Sequence, residues 1–394
     1  MLIFVDLPVL FKSLLCVISR KWRSPRRVLW TCIALVAVTA VYAINVIFRL
    51  LDEVLFPAYR DVAITSPVII TGNPRSGTTF LNRLLCADEA SFVYFRLYQT
   101  IFPSITIWKI IDRIAEADRA CGGSLARLVK RMNEVLFRGW RNIHEIGFDA
   151  PEEDEALFLF NFATPALYML FPFFDEVPEL SSIDRLPAWK RDEIARYYEG
   201  CLKRLVYAYG EGKRLLCKSV LLPGRIETIL QRVPGARVIY LVRDPCDAIS
   251  STVRMFTSFW RVHSPDIPGD SDTTRGWVRL CVEYYRRFHE YRGRISPNNL
   301  IPVPFTGLVA DPEETVKKIY NVLGLTPSEE CLARVRDEAA RRNGSAKSAN
   351  SLARYGVEPE WIHAELKEIY DEYNIPRRMT QGERDAQERR GSKD

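Results

Sequence analysis

Residues 67–80 constrain the possible folds more than any other part of the chain. They read PVIITGNPRSGTTF, a short β-branched run followed by two glycines with four residues between them and then by two threonines. When such a loop joins a buried strand to a helix, its backbone N–H groups and the helix N-terminus face an anion. A glycine turn with a surface arginine is the simpler alternative. The strand, the helix and the paired threonines together favour a P-loop-like phosphate site.

The loop departs from the Walker A pattern, which continues after its second glycine with lysine and then serine or threonine. Here Thr78 occupies the lysine position, and the cation is Arg75, inside the loop. The magnesium–triphosphate arrangement of P-loop kinases and NTPases is therefore altered. We expect an anion held by N–H groups, hydroxyls and one cation, without a metal.

The chain beyond residue 67 alternates strand and helix patterns. Strand-like runs lie at 67–71, 215–218, 236–242 and 299–305, and helix-like stretches at 78–86, 224–233, from 247 and 311–323. Residues 95–210 show no clear strand, so we predict a large helical insertion there. Strands separated by helices predict an α/β fold, in which helices cover both faces of a parallel sheet. Ligands of such sheets bind beyond the carboxyl ends of the strands.

The N-terminal part of the chain has the composition of a membrane segment. Residues 28–48 contain no charged residue and are long enough to cross a bilayer. Flanking basic and aromatic residues suit an interface: Arg20, Lys21, Trp22, Arg23, Arg26, Arg27 and Trp30. Residues 1–19 are also apolar and suit an interfacial helix or a second, poorer span. We predict a membrane protein, single-pass or monotopic, with a signal peptide or a buried core helix as the alternatives.

Composition excludes several other classes of protein. The net charge of +6 does not make the whole chain a polycation, so we expect no nucleic-acid partner. Nine scattered cysteines without a C-x-x-C pair argue against a zinc ribbon or a dense disulfide framework. Four histidines are too few for a histidine-rich metal site.

Two further motifs follow predicted strands. Arg243-Asp244-Pro245-Cys246-Asp247 ends the strand at 236–242, and Ser251 lies eight residues after Arg243. An arginine at a strand end and a hydroxyl on the next helix can hold one phosphate together. Lys218-Ser219 ends the strand at 215–218. For the arginine motif the alternative is a strand-end salt bridge with Asp244 or Asp247, and for Lys218 it is a solvated strand-end lysine.

Together these segments resemble the sulfotransferases that use 3′-phosphoadenosine 5′-phosphosulfate (PAPS), and in particular the branch with a P-R-S-G-T-T loop. The resemblance covers roughly residues 67–379 and implies PAPS as the donor, without a metal. It implies that the 5′-phosphosulfate is bound by Arg75, Ser76, Gly77, Thr78 and Thr79. It also implies that Arg243 and Ser251 bind the 3′-phosphate, and that Arg75 and Lys218 neutralise charge on the transferring group.

The general base departs from the family pattern. Cytosolic relatives continue K-T-H and use that histidine, whereas Val220 stands at the corresponding position here. A buried glutamate can serve instead, and the best candidate lies in the acidic run Glu152-Glu153-Asp154-Glu155. Glu153 is our first choice and Asp154 the second. His144 is a weaker one. The alternative is that these acids begin a helix and favour its dipole. Lys347 is a poor match to the family's C-terminal donor-binding lysine.

The sequence therefore predicts a membrane-attached enzyme that transfers a sulfuryl group from PAPS to a hydroxyl or amine. We expect an anchoring segment at 1–60, a sulfotransferase domain at 61–380 and a charged, disordered tail at 381–394. The acceptor is a small molecule, a lipid or a saccharide. The aromatic runs at 158–160 and 170–174 suit a lipid acceptor and equally suit core packing. The alternatives are a P-loop kinase or NTPase, and a membrane-tethered nucleotide-binding protein without catalysis.

Overall fold

The computed structural model describes residues 4–19, 21, 23–136, 147–341 and 352–377. The predictions made for His144, Lys347 and the tail at 381–394 lie outside these ranges. The boundaries proposed at residues 60 and 380 stay predictions.

A five-stranded parallel sheet forms the centre of the molecule, with the strand order β2-β3-β1-β4-β5. The strands are β1 (Val68–Thr71), β2 (Phe92–Tyr94), β3 (Arg214–Lys218), β4 (Arg237–Val242) and β5 (Leu300–Pro304). The central β1 is buried along its whole length and pairs with β3 on one side and β4 on the other. Its unbroken apolar run is typical of a parallel strand that is covered on both faces. The predicted α/β class is confirmed.

Helices cover both faces of the sheet. They are α1 (Leu7–Ile18), α2 (Pro25–Leu55), α3 (Thr78–Cys86), α4 (Leu97–Ile101), α5 (Ile105–Ala120), α6 (Ser124–Leu136), α7 (Ala156–Leu159), α8 (Ala188–Tyr209), α9 (Ile226–Leu230), α10 (Pro245–His263), α11 (Asp272–Arg292), α12 (Phe305–Ala310), α13 (Pro312–Leu323), α14 (Glu329–Arg341), α15 (Pro359–Glu365) and α16 (Lys367–Glu372). Short 3-10 helices lie at Pro57–Asp61, Pro165–Met169, Pro178–Ser181, Ile183–Arg185, Leu222–Gly224, Pro297–Asn299 and Leu352–Tyr355.

The side chains of β1 alternate between two hydrophobic cores. Val68 and Ile70 pack in a core with α3 and α13, whereas Ile69 packs in a core with α8 and α9. Successive side chains of a strand point to opposite faces, so each short strand contributes to both cores. The sheet is therefore held rigidly between two helical layers, and the loops at its carboxyl edge rest on a fixed base.

The described residues between 95 and 210 form the predicted helical insertion, α4 to α8 with three 3-10 helices. Its aromatic residues pack against α10 and α11 in a third core that includes Phe171, Phe173 and Trp277. The ring of Trp277 lies 3.7 Å from that of Phe256 and 5.7 Å from that of Phe174, measured between centroids. Much of the aromatic run at 170–174 therefore serves core packing, which was one of the two predicted interpretations.

The N-terminal apolar run lies in the single long helix α2, which exceeds the uncharged stretch at both ends. By length and composition α2 could cross a membrane. The shorter α1 is also apolar and contacts α2.

Candidate active site

The loop between β1 and α3 has the backbone that its glycines predict. Gly77 has φ +98°, and a Cβ placed there would lie 2.7 Å from the ring of Phe305. Gly72 has φ +154°, and a Cβ there would lie 2.8 Å from the carbonyl oxygen of Leu241. Arg75 also has a positive φ, of 68°, a conformation that costs energy in a non-glycine residue and clusters at functional sites. Gly77 immediately precedes α3 and, lacking a side chain, leaves the first N–H groups of the helix to face the loop.

Lys218 reaches this loop from the neighbouring strand. In the parallel register Lys218 of β3 stands beside Ile70 of β1, one residue before the end of that strand. Its Nζ donates a hydrogen bond to Thr79 Oγ1 at 3.1 Å, and its side chain is buried. The carboxyl ends of adjacent parallel strands meet at one edge of the sheet, which explains why two motifs far apart in sequence converge.

The arginine motif at 243–247 follows β4, which pairs with β1 on the side opposite β3. Arg243 follows β4, and its Nη1 donates to the carbonyl oxygen of Arg75 at 2.6 Å. Arg75 Nε donates to Ser251 Oγ at 3.2 Å. Ser251 lies on α10, whose N-cap Asp244 accepts a hydrogen bond from the N–H of Asp247 at 3.0 Å. The structure thus brings the predicted donor-binding residues together around one loop.

Arg254 is a further cation that the sequence analysis missed. It lies one turn after Ser251 on α10, so the two side chains share a helix face. Burial lowers the pKa of Arg75, and the positive charges of Arg243 and Arg254 lower it further. The i, i+3 spacing from Ser251 was the signal that could have identified it. Four cationic side chains therefore lie around the loop: Arg75, Lys218, Arg243 and Arg254. This arrangement suits a ligand with several negative charges.

Buried polar atoms without partners lie at the same place. Ser76 Oγ and Arg243 Nε are both buried and have no hydrogen-bond partner among the described residues. An unsatisfied buried polar group costs about 1–3 kcal/mol, which a ligand bearing acceptor oxygens would recover. These atoms fit the phosphate groups of a nucleotide. Within the described ranges no group of three or more histidine, cysteine, aspartate or glutamate residues suits a metal ion.

The acidic run lies against Lys218 rather than in the first turn of a helix. Glu152 Oε1 is 3.7 Å and Glu153 Oε1 3.9 Å from Lys218 Nζ. The N–H of Asp154 donates to the carbonyl oxygen of Lys218 at 3.1 Å. The short α7 begins only after Glu155, and its first turn contains no acidic residue. The helix-dipole interpretation of these acids is therefore wrong.

The acids beyond Glu152 differ in their partners. Glu155 is paired with Arg225, whose Nη1 donates to its Oε1 at 3.1 Å, and it also accepts from the hydroxyl of Thr164. Asp154 accepts from the hydroxyl of Tyr198. Among the described residues, Glu153 Oε2 and Asp154 Oδ1 are both buried without a hydrogen-bond partner. Glu153 differs from Asp154 in that its other oxygen, Oε1, lies 3.9 Å from Lys218 Nζ.

Burial also sets the protonation of these acids. Burial raises the pKa of Glu153 to about 7, against the opposing effect of Lys218 and with help from Glu152. Burial likewise raises the pKa of Asp154 to about 6, which Arg225 and the Tyr198 hydroxyl oppose. A carboxylate with a pKa near neutrality, held next to a cation, has the properties of a general base.

Val220 and the histidines supply no alternative base within the described part of the chain. Val220 is partly buried and packs on the aromatic core of the insertion. The described histidines contact other residues: His263 contacts Ser264 and the carbonyl oxygen of Met169, His289 contacts Glu368 and Glu372, and His363 contacts Cys246.

Comparisons with known proteins identify relatives of this chain. Two curated relatives have the same name, ω-hydroxy-β-dihydromenaquinone-9 sulfotransferase Stf3, and come from Mycobacterium bovis and Mycobacterium tuberculosis. Each is 25% identical over 326 residues, which cover 79% of this chain and 76% of the relative.

Solved structures share the fold at lower sequence identity. Sulfotransferase STF9 from Mycobacterium avium superimposes with a TM-score of 0.69 and 20% identity, covering 82% of this chain and 81% of that one. Sulfotransferase STF1 from Mycobacterium tuberculosis gives a TM-score of 0.67 and 19% identity, with coverage of 92% and 91%. The sulfotransferase family model matches residues 67–329, from the first residue before β1 to the start of α14. A match over more than half of the chain, on the described fold and phosphate loop, shows that this chain belongs to the sulfotransferase family.

Proposed function

We propose that this sulfotransferase transfers the sulfuryl group of PAPS to the hydroxyl of a lipid acceptor at a membrane. The observation that carries the proposal is the convergence of Arg75, Lys218, Arg243 and Arg254 on one glycine loop, beside Glu153. PAPS carries a 5′-phosphosulfate and a 3′-phosphate, and so needs two anion sites on one surface. The loop supplies the first site, and Arg243 with Ser251 the second.

Each donor-binding residue has a role that its position supports. The N–H groups at the start of α3, with the Ser76, Thr78 and Thr79 hydroxyls, would hold the 5′-phosphate. The guanidinium of Arg243 and the hydroxyl of Ser251 would hold the 3′-phosphate by charge-assisted hydrogen bonds. On binding, Ser251 would exchange its bond from Arg75 for one to the donor, which frees Arg75 for the sulfuryl oxygens.

The transfer itself needs a base and a cluster of positive charge. The acceptor oxygen attacks sulfur in line, while the bond from sulfur to the bridging oxygen of the 5′-phosphate breaks. Glu153 takes the hydroxyl proton, and the bond electrons leave on the 5′-phosphate oxygen of the nucleotide product. Arg75 and Lys218 stabilise the charge that develops on the bridging and sulfuryl oxygens, which is the largest expected contribution to the rate.

Two features support a lipid acceptor. The curated mycobacterial relatives are named for an ω-hydroxylated dihydromenaquinone. The long apolar α2 would place this chain at a membrane, where such an acceptor dissolves. A hydroxylated isoprenoid or similar lipid is therefore the acceptor class that we propose, and a saccharide is the alternative.

The decisive experiment is transfer of labelled sulfate from PAPS in an extract that contains membranes. We expect the label in the organic phase after solvent extraction, with no requirement for magnesium. Label confined to water-soluble saccharides would overturn the lipid acceptor. Tight binding of the nucleotide product PAP (3′-phosphoadenosine 5′-phosphate) with no transfer to any fraction would favour the non-catalytic alternative. Magnesium-dependent binding of ATP in preference to PAP would favour a kinase or NTPase.

A further inference from the structure

Helix α2 turns its polar side chains toward the protein and its apolar side chains outward. Its buried residues are Arg27, Thr31, Asn45, Arg49 and Asp52. Its large exposed hydrophobic residues are Leu29, Trp30, Ile33, Val36, Ile44, Ile47, Leu50, Leu51, Val54 and Leu55. An amphipathic helix on a water-soluble domain has the opposite arrangement. The outer face of α2 is therefore built for an apolar environment.

Both ends of α2 are fixed to the same globular domain. Near its start, Arg27 Nε donates to Ser264 Oγ at 2.7 Å, and Arg27 Nη2 lies 2.6 Å from Asp266. Near its end, Asp52 is paired with the buried Arg204 at 2.9 Å. A rise of 1.5 Å per residue separates Arg27 from Asp52 by about 37 Å. The helix thus lies along the domain surface over its whole length.

The C-terminal half of α2 makes further contacts of this kind. Asp52 also accepts hydrogen bonds from the N–H groups of Ile105 and Thr106, at 3.1 and 2.8 Å. Asn45 donates to the carbonyl oxygen of Ile101 at 2.9 Å, and Arg49 to that of Pro103 at 3.2 Å. If α2 crossed a bilayer, its two ends would lie on opposite sides of the membrane. One domain on one side could not hold both of them.

Helix α1 repeats the arrangement. Its exposed residues Leu7, Phe11, Leu15 and Ile18 follow one another at helical spacing and form one stripe. Its polar contacts point inward, since the buried Asp6 is paired with Lys190 at 2.5 Å. The two helices contact each other and present two outward apolar stripes.

We propose that α1 and α2 dock this protein in the plane of one leaflet of a lipid bilayer, so that the chain is monotopic and does not span the membrane. The apolar stripes would lie in the upper acyl region, about 5–10 Å below the headgroup boundary. The packing of α2 is independent of what the enzyme sulfates, so this proposal goes beyond the proposed activity.

Charge and composition indicate that lipid, rather than a second copy of the chain, covers the outer face of α2. The exposed residues of the fully described α2 include no acid, while Arg23 and Arg26 are exposed at its start. These arginines complement anionic headgroups. Trp30 is 41% exposed beside them, where an aromatic residue suits the membrane interface.

A flotation experiment with the full chain tests the surface. We expect the protein to float with vesicles of phosphatidylcholine and phosphatidylglycerol, and less with phosphatidylcholine alone. Val36→Glu, at a position that is 72% exposed, should lower the vesicle-bound fraction roughly tenfold or more. The matched control is Val322→Glu, at a position on α13 that is 44% exposed, and it should float like the unchanged protein. Equal flotation of the two variants would overturn the proposal. So would a soluble dimer that does not bind vesicles.

The depth of α2 in the bilayer distinguishes a helix that lies in the membrane plane from one that spans the membrane. Single cysteines would be placed at the outward positions Leu29, Val36, Ile47 and Val54 for spin labels, after the exposed Cys32 and Cys121 are replaced by serine. Docking in the plane predicts the same shallow depth at all four positions. Labels that are deepest at 36 and shallow at both 29 and 54 would show a span and refute the proposal. Retention of the circular dichroism spectrum and melting temperature identifies the variants that are correctly folded.

Discussion

Glu153 and Asp154 are neighbours in sequence, yet the fold gives them different surroundings. Asp154 accepts from the Tyr198 hydroxyl, while Glu153 Oε1 lies 3.9 Å from Lys218 Nζ. Sequence reasoning could identify the acidic run and rank Glu153 first, because Val220 removes the usual histidine. It could not assign the neighbours, because Tyr198 reaches Asp154 from α8, more than forty residues away.

Substitution of Glu153 tests its role as the general base. Glu153→Gln should lower turnover by ~10²–10⁴-fold, the usual contribution of general-base assistance, while the affinity for PAP stays the same. The amide keeps the size of the side chain, so the fold should survive. The measurements are single-turnover sulfation and PAP calorimetry. Asp149→Asn, at an exposed acid of the same segment, is the control and should cost much less. Equal losses in the two variants would remove Glu153 from the role of base.

The pH dependence follows from the same residue. Burial raises the pKa of Glu153 from an ordinary 4.5 to about 7, so its basic form becomes populated only as the pH rises through that value. Turnover should therefore increase between pH 6 and 8, within about one pH unit of that pKa. The folded state binds this proton more tightly than the unfolded state, so the contribution to stability is lost as pH rises from about 4.5 to about 7. Glu153→Gln should flatten both profiles, and an unchanged profile in that variant would contradict the assignment.

Arg254 should contribute to donor binding although it stands outside the family motif. Charge-assisted contacts with phosphate are worth about 1.5–3 kcal/mol, so Arg254→Ala should weaken PAP binding roughly 10- to 100-fold. Arg243→Ala should have an effect of similar size. Arg261→Ala is the control, because Arg261 is an exposed arginine in the last turn of the same helix. Calorimetry with PAP provides the comparison, and equal affinities for the Arg254 and Arg261 variants would exclude Arg254 from the site.

At the scale of elements, strands with long apolar runs were the predictable ones. β1, β3, β4 and β5 lie within a residue or two of their predicted positions. β2 was missed because three residues at an edge of the sheet give no readable pattern, and its place depends on pairing with β3. α10 begins two residues earlier than predicted, because Asp244 caps it and Pro245 suits a first turn. Within the insertion, α4 and α7 have only five and four residues and depend on tertiary packing, so their bounds could not be read from the sequence.

The loop between β1 and α3 provides a test at this scale. Gly77→Ala would add a Cβ to a residue whose φ is +98°, and that Cβ would lie 2.7 Å from the Phe305 ring. The strain amounts to ~1–3 kcal/mol and displaces the loop, so PAP affinity should fall at least tenfold. Gly307→Ala, on α12 with no atom within 4 Å of the added Cβ, is the control and should bind PAP normally. Normal binding by the Gly77 variant would show that the loop does not hold the donor.

For the whole molecule, the α/β fold and the meeting of the three motifs followed from the order of strands and helices, because parallel strands place their carboxyl ends together. The role of the N-terminus did not follow in the same way. An uncharged run indicates contact with lipid, but the sequence does not show what its flanking charges contact. In the structure Arg27 and Asp52 bond to the globular domain. A domain boundary at residue 60 would therefore separate α2 from Ser264, Asp266 and Arg204, the residues that its side chains contact.

Asp52 is the residue at which this connection can be tested. Its side chain is fully buried, is paired with Arg204, and accepts hydrogen bonds from the first N–H groups of α5. Removal of one partner from a buried ion pair costs ~3–5 kcal/mol, because the remaining charge is left without full compensation. Arg204 keeps its 2.8 Å contact with Glu53, so we place Asp52→Ala at the lower end of that range.

The free energy of unfolding in detergent, measured by chemical denaturation, should reveal the loss for Asp52→Ala. Asp61→Ala is the control, since Asp61 is exposed just after the same segment, and it should change stability by less than about 0.5 kcal/mol. A chain that begins at residue 61 lacks Asp52 and Glu53 together, so it should be destabilised more than Asp52→Ala. If Asp52→Ala is as stable as Asp61→Ala, α2 is a separable anchor. The sulfotransferase domain would then begin near residue 61, as its sequence predicts.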